Sequence, residues 1–198
     1  MTKQEKSISA VILAGGKATR YGGRNKAFIQ VDGLTIFERN LKVLRDLFSE
    51  ILLITNEPAS YDFVSDVKIY TDVIAGKGPL SGIHSGLKHI SGEAAFIFAC
   101  DMPNLDKDVI SQQIDAYWRK PERIQIPVSG RGQEPLHAVY PKAAFHEVER
   151  ILLQHKNPRI RLLYSHYPTL FRKFYNIALA NHVFMNINSP GDLNAMKF

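Results

Sequence analysis

The sequence Ile8-Ser-Ala-Val-Ile-Leu13 is followed directly by Ala14-Gly15-Gly16. A short run rich in β-branched residues that ends in glycines is typical of a strand buried on both faces. The stretch Ala94-Ala-Phe-Ile-Phe-Ala-Cys100 has the same character and stops at Asp101. Because strands buried on both faces need cover on each side, these two stretches indicate a parallel sheet within an α/β fold.

The remaining sequence alternates between strand-like and helix-like segments. Apolar spacing and capping residues predict helices that begin at Thr35, run from Leu80 to His89 and run from Asp106 to Arg119. The predicted strands include Ala27–Val31, Ile51–Thr55, Val67–Tyr70 and Val183–Ile187. This alternation predicts an open, mostly parallel sheet with helices on both faces.

Composition limits the class of protein. The chain has 198 residues, of which 45% are hydrophobic and 22% charged, and it shows no linker or repeat. We therefore expect a single domain over residues 1–198. No run approaches the roughly 18 apolar residues of a membrane span. The one cysteine, Cys100, excludes a disulfide framework, and the histidines show no zinc-ligand spacing. A cytoplasmic protein without membrane contact is expected.

The chain is basic, with 25 Lys and Arg against 19 Asp and Glu and a net charge of +6. This charge favours an anionic ligand, although a solvated basic surface would give the same excess. Nucleic acid is not expected as a partner, because no motif interleaves basic and aromatic residues.

A glycine-rich loop follows the first predicted strand. Residues 13–26 contain four glycines, which allow backbone N–H groups to approach an anion, and Arg20 and Lys26 add positive charge. The loop is not a P-loop, because Ala18 follows Lys17 where Ser or Thr is required. The dinucleotide-binding spacing of glycines is also missing. A flexible connector is the alternative interpretation.

Polar residues stand where several predicted strands end: Asn56, Asp72 and Asp101. Ligands of open parallel sheets bind beyond these carboxyl ends. Asp101 is a candidate Mg²⁺ ligand, because the next helix begins later and has Asp106 as its cap. Asp72 fits either a ligand or a turn residue. Asn188 fits either an amide ligand or a turn residue before the next helix.

Five motifs in order resemble the molybdenum cofactor guanylyltransferase family over about residues 8 to 195. They are Leu13-Ala-Gly-Gly with Arg20-Tyr-Gly-Gly-Arg-Asn-Lys26, Gly78-Pro-Leu-Ser-Gly-Ile83, Cys100-Asp-Met-Pro103, Glu134-Pro-Leu-His-Ala-Val-Tyr140 and Asn186-Ile-Asn-Ser-Pro-Gly-Asp-Leu193. The resemblance implies a Rossmann-like fold of the nucleotide-diphospho-sugar-transferase type. It also implies that GMP is transferred from GTP to the phosphate of molybdenum-molybdopterin, with Mg²⁺ as cofactor and pyrophosphate as product.

The resemblance also implies roles for individual residues. In the N-terminal part, the nucleotide would be bound by Leu13, Ala14, Gly15, Gly16, Lys26, Asn56, Asp72 and Asp101. Asp101 would also hold the metal, and Lys26 and Arg20 would act with it in catalysis. In the C-terminal part, Arg161, Asn186 and Asn188 would contact molybdopterin.

One position departs from the family. Asn25 stands before Lys26 where the family usually has aspartate. The amide keeps the shape but loses the charge, so reduced activity and unchanged activity both stay open. Three alternatives also stay open: CTP as the nucleotide, a sugar-phosphate-like acceptor, and a non-catalytic nucleotide-binding module. Transient contacts with other cofactor-biosynthesis proteins or acceptor molybdoenzymes would fit the implied reaction.

Overall fold

The computed structural model describes residues 7–15, 26–31 and 33–187. The strands are Ile8–Leu13 (β1), Gln30–Val31 (β2), Leu34–Thr35 (β3), Ile51–Ile54 (β4), Lys68–Tyr70 (β5), Ala94–Ala99 (β6), Ile124–Ser129 (β7), Gly132–Gln133 (β8), His137–Pro141 (β9) and Thr169–Lys173 (β10). The helices are Ile36–Leu47 (α1), Pro79–His89 (α2), Lys107–Trp118 (α3), Phe145–Gln154 (α4), Arg161–Tyr164 (α5) and Ile177–Val183 (α6). Within the described ranges, no helix is both long and apolar enough to cross a membrane.

The central sheet has the strand order β10-β7-β9-β6-β1-β4-β5, with β8 paired to β7. Strands β6, β1, β4 and β5 run parallel to one another, and β7 runs parallel to β10. Strand β9 is antiparallel to both of its neighbours, β6 and β7. The predicted open, mostly parallel sheet is confirmed. The carboxyl ends of β1, β4, β5, β6, β7 and β10 all lie at one edge.

The alternation of side chains along each strand builds a core on each face of the sheet. Val11 and Leu13 of β1 pack into one cluster with residues of α2 and α4. Ala10 and Ile12 pack into the other cluster, with residues of α1 and α3. Both faces of the strand are therefore removed from water, which explains why its sequence is continuously apolar.

Helix α1 begins as the sequence predicts. The Thr35 side chain accepts a hydrogen bond from the N–H of Glu38 at 3.1 Å, and the Glu38 carboxylate accepts one from the N–H of Thr35 at 2.7 Å. This reciprocal cap satisfies two backbone donors that the helix leaves unpaired.

Helix α2 lies unusually close to β1, and two glycines allow it. A Cβ added at Gly86 would lie 2.7 Å from Cγ1 of Val11, and one added at Gly82 would lie 3.0 Å from Cδ2 of Leu13. The two glycines are four residues apart and so share one face of the helix.

Two local predictions were wrong. The expected strand Ala27–Val31 is a 3-10 helix over Lys26–Phe28 followed by a strand of two residues, Gln30–Val31. The expected strand Val183–Ile187 is absent from the described residues, because Val183 ends helix α6. Asn176 caps that helix, and Ala180, Val183 and Phe184 pack together at helical spacing against Met102 and Val109.

Candidate active site

The site is built where β1 and β6 end side by side. The N–H of Cys100 donates to the carbonyl of Leu13 at 3.0 Å, and the N–H of Ala14 donates to the carbonyl of Ile54 at 2.9 Å. Ala14 and Gly15 therefore leave the sheet beside Cys100, which follows β6 and directly precedes Asp101. The Leu13 side chain packs in the core below, so it supports the start of the loop.

Lys26 and Asp101 form the charged centre of this edge. The Nζ atom of Lys26 lies 3.5 Å from Oδ2 of Asp101, and the two side chains are 20% and 22% exposed. Burial raises the pKa of Asp101 above its ordinary value, and the neighbouring Lys26 ammonium opposes that shift. The other carboxylate oxygen, Oδ1, is buried and has no hydrogen-bond partner among the described residues.

The C-terminal segment passes next to Asp101. The N–H of Ile187 donates to the backbone carbonyl of Asp101 at 2.9 Å, which places Asn186 in the adjoining position. The Asn186 Oδ1 atom is also buried and lacks a hydrogen-bond partner in the described ranges. Buried polar atoms are normally satisfied, so these two oxygens on neighbouring segments are candidate ligand donors. Both are hard oxygen donors, which suit Mg²⁺.

Asn56 and Asp72 join the ends of β4 and β5. The Asn56 side chain donates to the Asp72 carboxylate at 3.0 Å, and the Asp72 N–H donates back to Oδ1 of Asn56 at 3.3 Å. The Thr55 hydroxyl donates to the carbonyl of Ala14 at 3.4 Å, which connects this pair to the loop after β1. The structure therefore brings together Asn56 and Asp72, two of the predicted nucleotide-binding residues.

The amino terminus of α2 lies at the same edge, since α2 follows β5. Gly78 has φ +68°, a left-handed backbone conformation, and Pro79 takes the first helical position. The unpaired N–H groups of a helix start favour negative charge nearby. The Lys77 ammonium is engaged elsewhere, because it donates to the carbonyls of Leu152 and His155 at the end of α4.

One predicted residue of the described part of the chain, Arg161, does not join this centre. Arg161 is exposed at the start of α5, which packs against α4, and so stands outside the group formed by Lys26, Asp101 and Ile187. Gly16, Arg20 and Asn188 lie outside the described residues, as does Asn25.

Cys100 and His137 are unsuited to nucleophilic or acid–base roles. Burial raises the pKa of the Cys100 thiol to about 12, so the reactive thiolate is not formed at neutral pH. Burial lowers the pKa of His137 to about 4, and its ring packs edge-on against Phe96 and Phe184. The structure thus favours a packing role for His137.

Sequence reasoning missed the amides that hold the loop after β6. The Asn40 side chain donates to the carbonyl of Met102 at 3.0 Å, and the Asn104 side chain donates to the carbonyl of His182 at 3.1 Å. Asn40 is 1% exposed. The available signal was a polar residue on the core face of α1, three residues after Phe37 and four before Leu44.

Comparison with known proteins gives concordant matches. The family described as "MobA-like NTP transferase domain" matches residues 10–169. A probable molybdenum cofactor guanylyltransferase of Clostridium perfringens (strain ATCC 13124) is 38% identical over 157 residues, covering 79% of this chain and 77% of that protein. A probable molybdenum cofactor guanylyltransferase of Natranaerobius thermophilus is 34% identical over 199 residues, covering 96% and 95%.

Among solved structures, the molybdopterin-guanine dinucleotide biosynthesis protein A of Archaeoglobus fulgidus superimposes with a TM-score of 0.81. It covers 95% of this chain and 96% of its own, at 22% sequence identity. At that identity the match supports the fold.

Proposed function

The chain belongs to the MobA-like NTP transferase family, and we propose that it transfers GMP from GTP to the terminal phosphate of molybdenum-molybdopterin. The products are the guanine dinucleotide form of the cofactor and pyrophosphate. The substrates of this proposal are supported by the relatives, which are probable molybdenum cofactor guanylyltransferases. The observation that carries it is the Lys26–Asp101 pair at the carboxyl edge of the sheet.

The donor set fits a divalent metal ion. Asp101 and Asn186 each present a buried oxygen without a hydrogen-bond partner in the described part of the chain. The described residues contain no group of three or more His, Cys, Asp and Glu side chains able to hold a metal. Mg²⁺ suits this set, because it commonly takes one or two protein oxygens and fills its other positions with substrate phosphates and water. When bound, it would neutralise charge on the phosphate oxygens.

The transfer step needs no covalent enzyme intermediate. A terminal phosphate oxygen of molybdopterin attacks the α-phosphorus of GTP and forms the new P–O bond. The bond from that phosphorus to the oxygen bridging to the β-phosphate breaks, and pyrophosphate leaves with the electron pair. Because the attacking phosphate is already anionic, the protein's work is to position the groups and to balance their charge.

Individual side chains divide this work. The Lys26 ammonium, which pairs with Asp101, would contact the phosphates and neutralise charge that builds up during transfer. The Asp101 carboxylate must be ionised to serve as a ligand. Arg20 would add a second positive charge.

The two substrates would approach from different parts of one domain, residues 1–198. The loop from Leu13 to Gly16 and the Asn56–Asp72 pair would bind the guanine nucleotide. Asn186, Asn188 and Arg161 would bind molybdopterin. A cytoplasmic location and contacts with acceptor molybdoenzymes or other biosynthesis proteins belong to this proposal as predictions.

A turnover assay tests the proposal. The purified protein is incubated with Mg²⁺, molybdenum-molybdopterin and GTP, CTP or ATP, and pyrophosphate release is measured with and without the acceptor. We expect release that requires both GTP and the acceptor. Release with CTP in place of GTP would reassign the base. In a parallel reaction a sugar phosphate replaces molybdenum-molybdopterin, and release there would reassign the acceptor. Nucleotide binding without turnover would indicate a binding module.

Two carboxylate-to-amide variants sharpen the test. Asp101→Asn should abolish turnover, because the amide keeps the shape and removes the charge. Asp66→Asn is the matched control, since Asp66 pairs with Arg45 at the surface and both side chains are about half exposed. Near-normal turnover of Asp101→Asn would contradict the assignment.

A further inference from the structure

We infer that Asn40 is a positioning residue that fixes the loop carrying Asp101, an inference that rests on the proposed function. Asn40 lies in the middle of α1 and is 1% exposed. Its Nδ2 atom donates to the backbone carbonyl of Met102 at 3.0 Å, one residue after Asp101. The helix thus holds the loop at its turn.

Near Asn40, the loop is also held by a backbone hydrogen bond and by the packing of Met102. Residues Asp101–Asn104 leave the sheet after β6, and Pro103 has no N–H to donate. The Met102 N–H bonds back to the carbonyl of Ala99 at 3.2 Å, and the Met102 side chain is buried. The Met102 carbonyl would lose its side-chain donor without Asn40, and a buried carbonyl left unpaired is strongly disfavoured.

A pocket adjoins the loop on the side of α1 and α6. A pocket of about 500 Å³ lies between α1, the loop and α6, lined by Asn40, Val43, Pro103, Leu105 and His182 among others. Two side-chain hydrogen bonds hold the loop beside this space. Asn40 supplies the bond from α1, and Asn104 supplies the bond to α6 through the carbonyl of His182.

The loop position matters because it sets the geometry of both unpaired oxygens. The Asp101 carbonyl accepts the N–H of Ile187, so a shift of the loop moves Asn186 as well as Asp101. Residues that orient metal ligands from behind typically change metal affinity or activity by 10–100-fold when they are replaced. We therefore expect Asn40 to affect divalent metal binding and turnover more than the KM for GTP.

The test compares Asn40→Leu with Gln113→Leu. Gln113 is the matched control, because it is a buried amide on α3 whose Nε2 donates to a backbone carbonyl, that of His137, at 2.9 Å. Both variants remove one buried amide donor, but only Asn40 holds the loop. Asn40→Ser is made in parallel as a milder change in case the leucine variant does not fold.

Two readouts are used, and only one of them needs turnover. Binding of Mn²⁺ in the presence of a non-hydrolysable GTP analogue is followed by the electron paramagnetic resonance signal of free Mn²⁺. We expect the Asn40 variants to weaken Mn²⁺ binding by about 10-fold or more, with Gln113→Leu close to wild type. In the turnover assay, kcat should fall for the Asn40 variants while the KM for GTP changes little.

The outcomes separate this inference from the proposed function. Equal Mn²⁺ affinity in folded Asn40 and Gln113 variants would overturn the positioning role, even with an active wild-type enzyme. Weakened Mn²⁺ binding with no GMP transfer by the wild-type protein would support the positioning role and overturn the proposed reaction.

Discussion

Replacing Gly86 with alanine tests how closely α2 packs against β1. The new Cβ would lie 2.7 Å from Cγ1, 3.3 Å from Cγ2 and 3.5 Å from Cβ of Val11. Val11 is fully buried and β-branched, so its methyl groups have little freedom to move away. Overpacking of this kind costs about 1–3 kcal/mol, whereas alanine gains about 1 kcal/mol over glycine in a helix. Because Val11 is so rigid a neighbour, we expect Gly86→Ala to lower the free energy of unfolding by about 1–2 kcal/mol.

The assay is reversible unfolding in urea at neutral pH, compared with two further variants. Gly82→Ala is the matched control on the same helix, because its Cβ would meet the flexible end of Leu13 at 3.0 Å. We expect it to cost less than Gly86→Ala. Combining Gly86→Ala with Val11→Ala removes the crowded methyl groups, so the double variant should lose less stability than the sum of the single changes. A Gly86→Ala protein as stable as wild type would refute the close packing.

The remaining predictions concern charge. Lys26→Ala should lower kcat/KM by about 10²-fold, in line with the loss of one preorganised charge stabiliser, and steady-state pyrophosphate release measures it. Turnover should fall as pH is lowered, because Asp101 becomes protonated. Since burial raises the pKa of Asp101, the midpoint of this fall should lie above the ordinary value of 3.8. A pH–rate profile measures it. Burial disfavours ionised Glu50, but hydrogen bonds from Lys68 and Ser9 outweigh it and lower its pKa to about 2. The stabilisation from ionised Glu50 is therefore fully present above the ordinary pKa of 4.5 and is lost as pH falls from 4.5 towards 2. Glu50→Gln should lower the free energy of unfolding by about 2 kcal/mol at neutral pH. Urea unfolding of this variant should show a weaker dependence of that free energy on pH between 4.5 and 2.

The fold was largely predictable because its strongest signals are local. The apolar runs of β1 and β6 match strands in the structure. Because both strands are covered on both faces, their residues are buried throughout, and the apolar pattern is continuous. The capping box at Thr35 also matches, because all its groups lie within four residues. The segment around Val183 was mispredicted because a short apolar run fits either a strand or one face of a helix. Its packing against Met102, distant in sequence, selects the helix.

The candidate site was predictable only where polar residues directly follow buried strands. Asp101 was found in this way, and the structure brings Lys26 to it across 75 residues of sequence. Asn40 was missed because its partner is the backbone carbonyl of Met102, and every residue has such a carbonyl, so the sequence does not identify the partner. The bond from Ile187 to Asp101 is likewise between backbone groups, so only the three-dimensional course of the C-terminal segment reveals it.

The strand order places β6 at the midpoint of the main path, with three strands on either side. Asp101 therefore stands at the centre of the carboxyl edge, between one half formed by β1, β4 and β5 and another formed by β9, β7 and β10. Within the sheet the two halves meet at this middle strand, so we expect substitutions at the outer ends of one half to change recognition of one substrate more than recognition of the other. Relatives with a changed nucleotide preference and an unchanged acceptor would then differ mainly on the β5 side.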